Sequence, residues 1–130
     1  MAIHESSENY LETILILKKN IGAVRSIDIA NELSYSKPSV SVAMKNLRNE
    51  GLIVVDEKGI INLTDSGYKI ASKIYERHVV ISNFLMDLGV DDKTAHDDAC
   101  KIEHIISEKS FQKMKDKYFL ENPQELNKKI

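Results

Sequence analysis

The stretch Thr94-Ala95-His96-Asp97-Asp98-Ala99-Cys100-Lys101-Ile102-Glu103-His104 sets two imidazoles, a thiol and a carboxylate at intervals i, i+4, i+7 and i+8. Residues at these intervals share one face of an α-helix. His96, Cys100, Glu103 and His104 are therefore predicted to project together from a helix running from Asp91 or Asp92 to about Ser107. Imidazole nitrogen, thiolate sulfur and carboxylate oxygen are all ligands of first-row transition metals. The chain's one cysteine and two of its four histidines fall here. The chemistry indicated is metal binding, and the S, N and O mixture suits Mn(II), Fe(II), Co(II), Ni(II) or Zn(II). A structural zinc knot is disfavoured because no Cys-x-x-Cys pair is present. The alternative for Cys100 alone is a small buried apolar side chain.

Other elements must complete such a site. A long helix is predicted from Asp65 or Ser66 to about Leu88, with Gly89 ending it. It must pack on the Cys100 helix to bury both apolar sides, so His78 can face the same site. A first helix from about Ser6 to Asn20 buries Tyr10, Leu11, Ile14, Leu15 and Leu17, and carries Asn9 and Glu12 on another face. Both are candidate ligands; the alternative is a solvated face with an acidic start suited to the helix dipole. His96, one turn before Cys100, is a candidate for a second metal. His4 is read as a surface residue. Ser110 to Tyr118 reads as a last helix, and Pro123 to Ile130 as a frayed tail.

Between the first and the long helix lies a second constellation. Ser26 to Leu33 reads as a short helix capped by Ser26, and Ser34-Tyr35-Ser36 breaks it. Lys37-Pro38-Ser39 opens a third helix to about Glu50, with Pro38 in the first turn and Val40, Met44 and Leu47 on its apolar side. Leu52–Asp56 and Ile60–Thr64 then read as a hairpin turning at Lys58-Gly59. Three helices and a hairpin in this order form a winged helix-turn-helix. The third helix opens with Ser36, Lys37, Pro38, Ser39 and Ser41, where a recognition helix meets base edges and phosphates. Lys45 and Arg48 follow, and Lys58 sits at the wing tip, all placed to reach the backbone of DNA. For each serine, plain capping or solvation is the competing role.

Composition narrows the classes further. A net charge of -2 over 130 residues excludes a global basic field, so any DNA surface is local. No apolar run approaches the roughly 20 residues of a membrane span, and the start Met1-Ala2-Ile3-His4-Glu5 has no signal-peptide pattern. One cysteine makes no internal disulfide. A cytoplasmic location is expected.

Taken together, the order of winged helix, long helix and Cys-x-x-Glu-His helix resembles the diphtheria toxin repressor and manganese transport regulator family. The resemblance runs from about Ser7 to Tyr118. It is carried by Glu8-Asn9-Tyr10-Leu11-Glu12-Thr13-Ile14, Ser36-Lys37-Pro38-Ser39-Val40-Ser41, Asn49-Glu50-Gly51-Leu52-Ile53, Leu63-Thr64-Asp65-Ser66-Gly67, Arg77-His78 and His96 to His104. It implies a main site of Cys100, Glu103 and His104 with a ligand from the first helix near Asn9 or Glu12. In iron-type members His78 and His96 match ligands of an ancillary site. In manganese-type members Glu12 and His78 join Glu103 and His104 in a two-metal cluster. The chain departs from both patterns. Asn9 stands where the iron type has Met and the manganese type Asp, Ser82 where the iron type has Glu, and Cys100 where the manganese type has Glu. The SH3-like domain of longer members is not expected in this chain.

The expected fold is mainly α: a winged helix-turn-helix over residues 1–70 and an all-helical dimerisation and metal-binding domain over 71–130. The expected function is a metal-dependent (Mn or Fe) DNA-binding transcriptional regulator, a homodimeric repressor of metal-uptake genes on a palindromic operator. Co(II), Ni(II) or Zn(II) can substitute. The alternative is a metal-independent winged-helix regulator or adaptor. An enzyme is not expected: Cys100 and His104 lack an accompanying oxyanion device, phosphate loop or acid/base pair. Dimer contacts are sought among Ile102, Ile105, Ile106 and Phe111, for which the internal core is the alternative.

Overall fold

The computed structural model describes residues 5–127, so His4 and the last residues of the expected tail lie outside the description. The fold is mainly α. Its order is α1 (Glu5–Ile21), α2 (Ser26–Leu33), α3 (Lys37–Asn49), β1 (Ile53–Val55), β2 (Ile61–Leu63), α4 (Asp65–Asp87), α5 (Asp92–Ile102) and α6 (Glu108–Glu121), then a 3-10 turn, Pro123–Asn127. That turn replaces part of the expected frayed tail, with Glu125 N–H donating to the Asn122 carbonyl at 3.0 Å. The chain divides into two compact units, Met1–Ser72 and Lys73–Ile130, the boundary falling within α4.

In the first unit the helix ends are set locally. α2 is capped by Arg25 rather than Ser26: the Arg25 N–H donates to the Asp28 carboxylate at 2.8 Å, the return bond of a capping box. Ser34 ends α2 in the left-handed region at φ 58°. Ser36 caps α3 by accepting the Ser39 N–H at 3.2 Å, with Pro38 in the first turn, where no amide partner is lost. The strands pair antiparallel with Val54 opposite Asn62, and Ile61 donates to the Val24 carbonyl at 2.8 Å. At the hairpin tip the Asp56 carboxylate accepts from the Lys58 and Ile60 N–H groups, and Gly59 supplies φ +80°. Leu11, Ile14, Val24, Ile29, Val40, Leu47, Ile53 and Ile61 are all essentially buried, one core closing three helices over the hairpin.

The hairpin is fastened to the start of α4. Thr64 Oγ1 donates to the Gly51 carbonyl at 2.7 Å and accepts the Gly67 N–H at 3.2 Å. Gly67 lies so close to the backbone just before β1 that an added Cβ would stand 2.0 Å from the Leu52 carbonyl oxygen. Alanine would gain helix propensity of about 1 kcal/mol. Forcing backbone apart costs about 1–3 kcal/mol or more, so the clash wins. Gly67→Ala is expected to destabilise the first unit on urea denaturation; unchanged or increased stability would show that the hairpin yields.

In the second unit Val80, Ile81, Ala99, Phe111 and Tyr118 form the core, with Phe84, Leu85, Ile102, Ile106, Met114 and Phe119 packed against it. Polar ties fix α4 to α6: Lys115 to Glu76 at 3.2 Å and Asn122 to Asp87 at 3.1 Å. α5 is capped by Asp91, whose carboxylate accepts the Thr94 N–H at 3.1 Å. That hydrogen bond holds the Asp91 carboxyl below its usual range. Phe111, offered as a dimer contact or a core residue, is core at 2% exposure, whereas Ile105 is 76% exposed.

Candidate metal centre and nucleic-acid interface

One expectation about the metal-candidate helix is corrected. α5 stops at Ile102, not near Ser107, and Glu103 is its C-cap. Glu103 still has helical dihedrals and donates its N–H to the Ala99 carbonyl at 2.9 Å, so it keeps the Cys100 face, and His104 stands in the turn that follows. The turn after α5 is held from outside the helix. The Arg77 guanidinium donates to the Glu103 carbonyl at 3.1 Å and the Ile106 carbonyl at 2.9 Å. Carbonyls at a helix end need such outside partners.

Within the second unit α4 supplies His78, α5 supplies His96 and Cys100, and its C-cap and the following turn supply Glu103 and His104. Ring nitrogens of His78 lie 2.9 Å from the Glu103 carboxylate and 3.1 Å from His96 Nδ1. The His78 and His96 rings stack at 5.2 Å. His104 Nε2 is 3.3 Å from the other Glu103 oxygen. Donor atoms of His78, Cys100 and Glu103 lie within 4.8 Å of one another. An imidazole nitrogen, a sulfur and a carboxylate oxygen at this spacing fit a divalent transition metal, and the mixture is of borderline softness. The Glu103 side chain is 0% and that of His104 3% exposed, while Cys100 is exposed. A core role for Cys100 is thus not what the fold gives it. Ser82, one turn after His78, donates its hydroxyl to the His78 carbonyl at 2.7 Å and supports the helix rather than presenting a ligand.

Asn9 and Glu12 lie on α1 in the first unit. The Asn9 carbonyl accepts the Thr13 hydroxyl at 2.8 Å, and Glu12 is buried at 4% exposure. A buried carboxylate is costly without a compensating partner, which sets Glu12 apart from an ordinary solvated face.

The cap residue Ser36 is exposed, as are Lys37, Pro38, Ser39, Ser41, Lys45 and Arg48 among others on α3, while Val40, Met44 and Leu47 face the core. Ser36 is engaged as the cap, and its hydroxyl donates to Ser39 Oγ at 2.8 Å. Val42, 61% exposed, was not singled out by sequence pattern. The available signal is that it falls off the Val40, Met44, Leu47 stripe. A second overlooked residue is Arg77, legible in sequence only as the neighbour of His78. Among the described residues no helix is long and apolar enough to cross a membrane.

Residues 2–61 match the N-terminal DNA binding domain of iron dependent repressors, and residues 64–127 their metal binding and dimerisation domain. The transcriptional regulator MntR of Escherichia coli is 37% identical over 82% of this chain and 68% of its own length. The diphtheria toxin repressor of Corynebacterium diphtheriae is 30% identical over 80% of this chain and 46% of its own. The solved structure of the manganese regulator SloR superposes with a TM-score of 0.76 at 31% identity, over 95% of this chain and 56% of that one. The chain thus spans little more than half the length of that solved neighbour. These relatives are transcriptional regulators, not enzymes. The chain belongs to the iron-dependent repressor family of metal-dependent transcriptional regulators.

Proposed function

We propose that this chain is a cytoplasmic, homodimeric repressor of metal-uptake genes that binds a palindromic DNA operator when it holds Mn(II) or Fe(II). The observation that carries the reading is the convergence of His78, Cys100 and Glu103 donors within 4.8 Å, in a chain whose other unit is a winged helix. Residues 1–70 would bind DNA, and 71–130 would hold the metal and the dimer partner. Cys100, Glu103, His104, His78 and His96 are the proposed ligands of the second unit. Glu12 and Asn9 are proposed from α1 on their donor types and on the family resemblance. Co(II), Ni(II) or Zn(II) would substitute, since the donor set is not exclusive to one ion.

When bound, the ion supplies a positive centre. The residues of the chain do the rest. Glu103 and the Cys100 thiolate would supply negative charge toward it, and the imidazoles of His78, His96 and His104 would supply nitrogen donors. The DNA-competent arrangement need only hold the ion more tightly than the alternatives for occupancy to shift the population toward it. On DNA, the amide end of α3 with Lys37, Ser39 and Ser41 would meet phosphates and base edges, and Lys45 would meet the backbone. Val42, exposed on the same helix, would touch a thymine methyl. A two-fold dimer would set two such helices about one DNA turn apart. Ile105 is available for the dimer face.

The test is fluorescence anisotropy on a duplex selected from random DNA in the presence of Mn(II). Wild type is expected to bind at least about 10-fold more tightly with Mn(II) or Fe(II) than without, a coupling of ordinary size. His104→Ala is expected to lose the difference. Equal affinity in every case would sink the metal switch and leave a metal-independent regulator.

A further inference from the structure

We propose that Arg77 is the positioning residue of the metal centre: its guanidinium holds the turn from Glu103 to Ile106 and so fixes Glu103 and His104 in place. The inference rests on the reading of those two residues as ligands and concerns how they are held. Nη1 of Arg77 reaches two carbonyls of the turn, Glu103 at 3.1 Å and Ile106 at 2.9 Å. Nη2 reaches Glu108 Oε2 at 3.0 Å, at the start of α6. The guanidinium lies over the Phe111 ring at 5.4 Å from its centroid, and the side chain is only 8% exposed.

Each contact has a physical reason. A helix C-terminus attracts cations, and its last carbonyls lack intrahelical partners. A planar fork serves both carbonyls and a carboxylate at once, which a lysine ammonium on a single stem does not match. Glu108 balances the sheltered charge and is itself bonded to Lys73 at 2.9 Å. Consecutive residues of α4 therefore grip Glu103 from two sides: Arg77 at its carbonyl, and His78 at its carboxylate at 2.9 Å. The contact to the carboxylate competes with metal for the same oxygens. The contact to the carbonyl does not, so it can persist in the metal-loaded protein.

The experiment uses the full chain and two readouts. In metal-free protein, amide hydrogen exchange at Ile105 and Ile106 is expected to rise about 10-fold in Arg77→Lys, as hydrogen bonds to a charged group are lost. In Co(II) titrations the same variant is expected to bind about 10–100-fold more weakly, with a changed Co(II) absorption band, as for the loss of an outer partner of a ligand. Lys73→Gln, which touches Glu108 but no carbonyl of the turn, is expected to leave the band unchanged.

Unchanged exchange, or Co(II) affinity within about twofold of wild type, overturns the role of Arg77. Wild-type protein that takes up no Co(II) overturns the metal centre itself, and with it the need to position anything. Should Arg77→Lys not fold, Glu108→Gln loosens the same guanidinium. It is expected to weaken Co(II) about threefold, a fraction of the full outer-partner effect, and no change overturns the proposal.

Discussion

Replacing Glu103 by Gln is expected to weaken Mn(II) binding about 100-fold or more and to abolish metal-stimulated DNA binding. Loss of an outer partner alone costs about 10–100-fold, and Glu103 is proposed as a ligand. Its side chain is fully buried, with His78 at 2.9 Å and His104 at 3.3 Å. In so sheltered a place a divalent cation depends on a formal negative charge nearby, because water cannot supply the missing screening. Glutamine keeps the shape and one carbonyl oxygen but not the charge. Without metal the substitution exchanges one buried hydrogen-bonding group for another, so stability should change by no more than about 2 kcal/mol, an ordinary point-mutant effect. Isothermal titration with Mn(II), beside a thermal melt of the metal-free protein, separates the two effects. Wild-type affinity in a folded Glu103→Gln variant would remove Glu103 from the centre.

Leu11→Ala is expected to cost about 2–5 kcal/mol in the first unit, as for other large-to-small core changes. Leu11 is 0% exposed on α1. Its removal leaves a cavity that backbone already tied to α2 and the hairpin cannot close. Against a usual total of about 5–15 kcal/mol, that is a large share of the stability of the DNA-binding fold. Urea denaturation followed by circular dichroism measures it. A loss below about 1 kcal/mol would mean that the site collapses freely and that Leu11 does not centre this core.

Much of the first unit was legible residue by residue. The α2 range Ser26–Leu33 and the hairpin turn at Lys58-Gly59 are local features, set by breaker residues and apolar period. The cap of α2 was misread because Ser26 and Arg25 are neighbours, and the deciding contact is made by a backbone N–H, which has no residue signature. In the second unit the donor types were legible, and so was the prospect of His78 meeting the Cys100 region.

What the sequence determined by itself was the inventory: a winged helix, a long helix, and S, N and O donors within a few turns of one another. Local propensity and hydrophobic period suffice for that. Where those donors stand relative to one another was decided by tertiary structure. The helical period runs unbroken through Glu103 and His104, yet α5 ends at Ile102. Arg77, 26 residues before Glu103, takes the carbonyls of that turn. A hydrogen bond across such a separation leaves no periodic trace in the chain. It holds the turn that carries His104, while Cys100 stays on the helix, exposed to solvent.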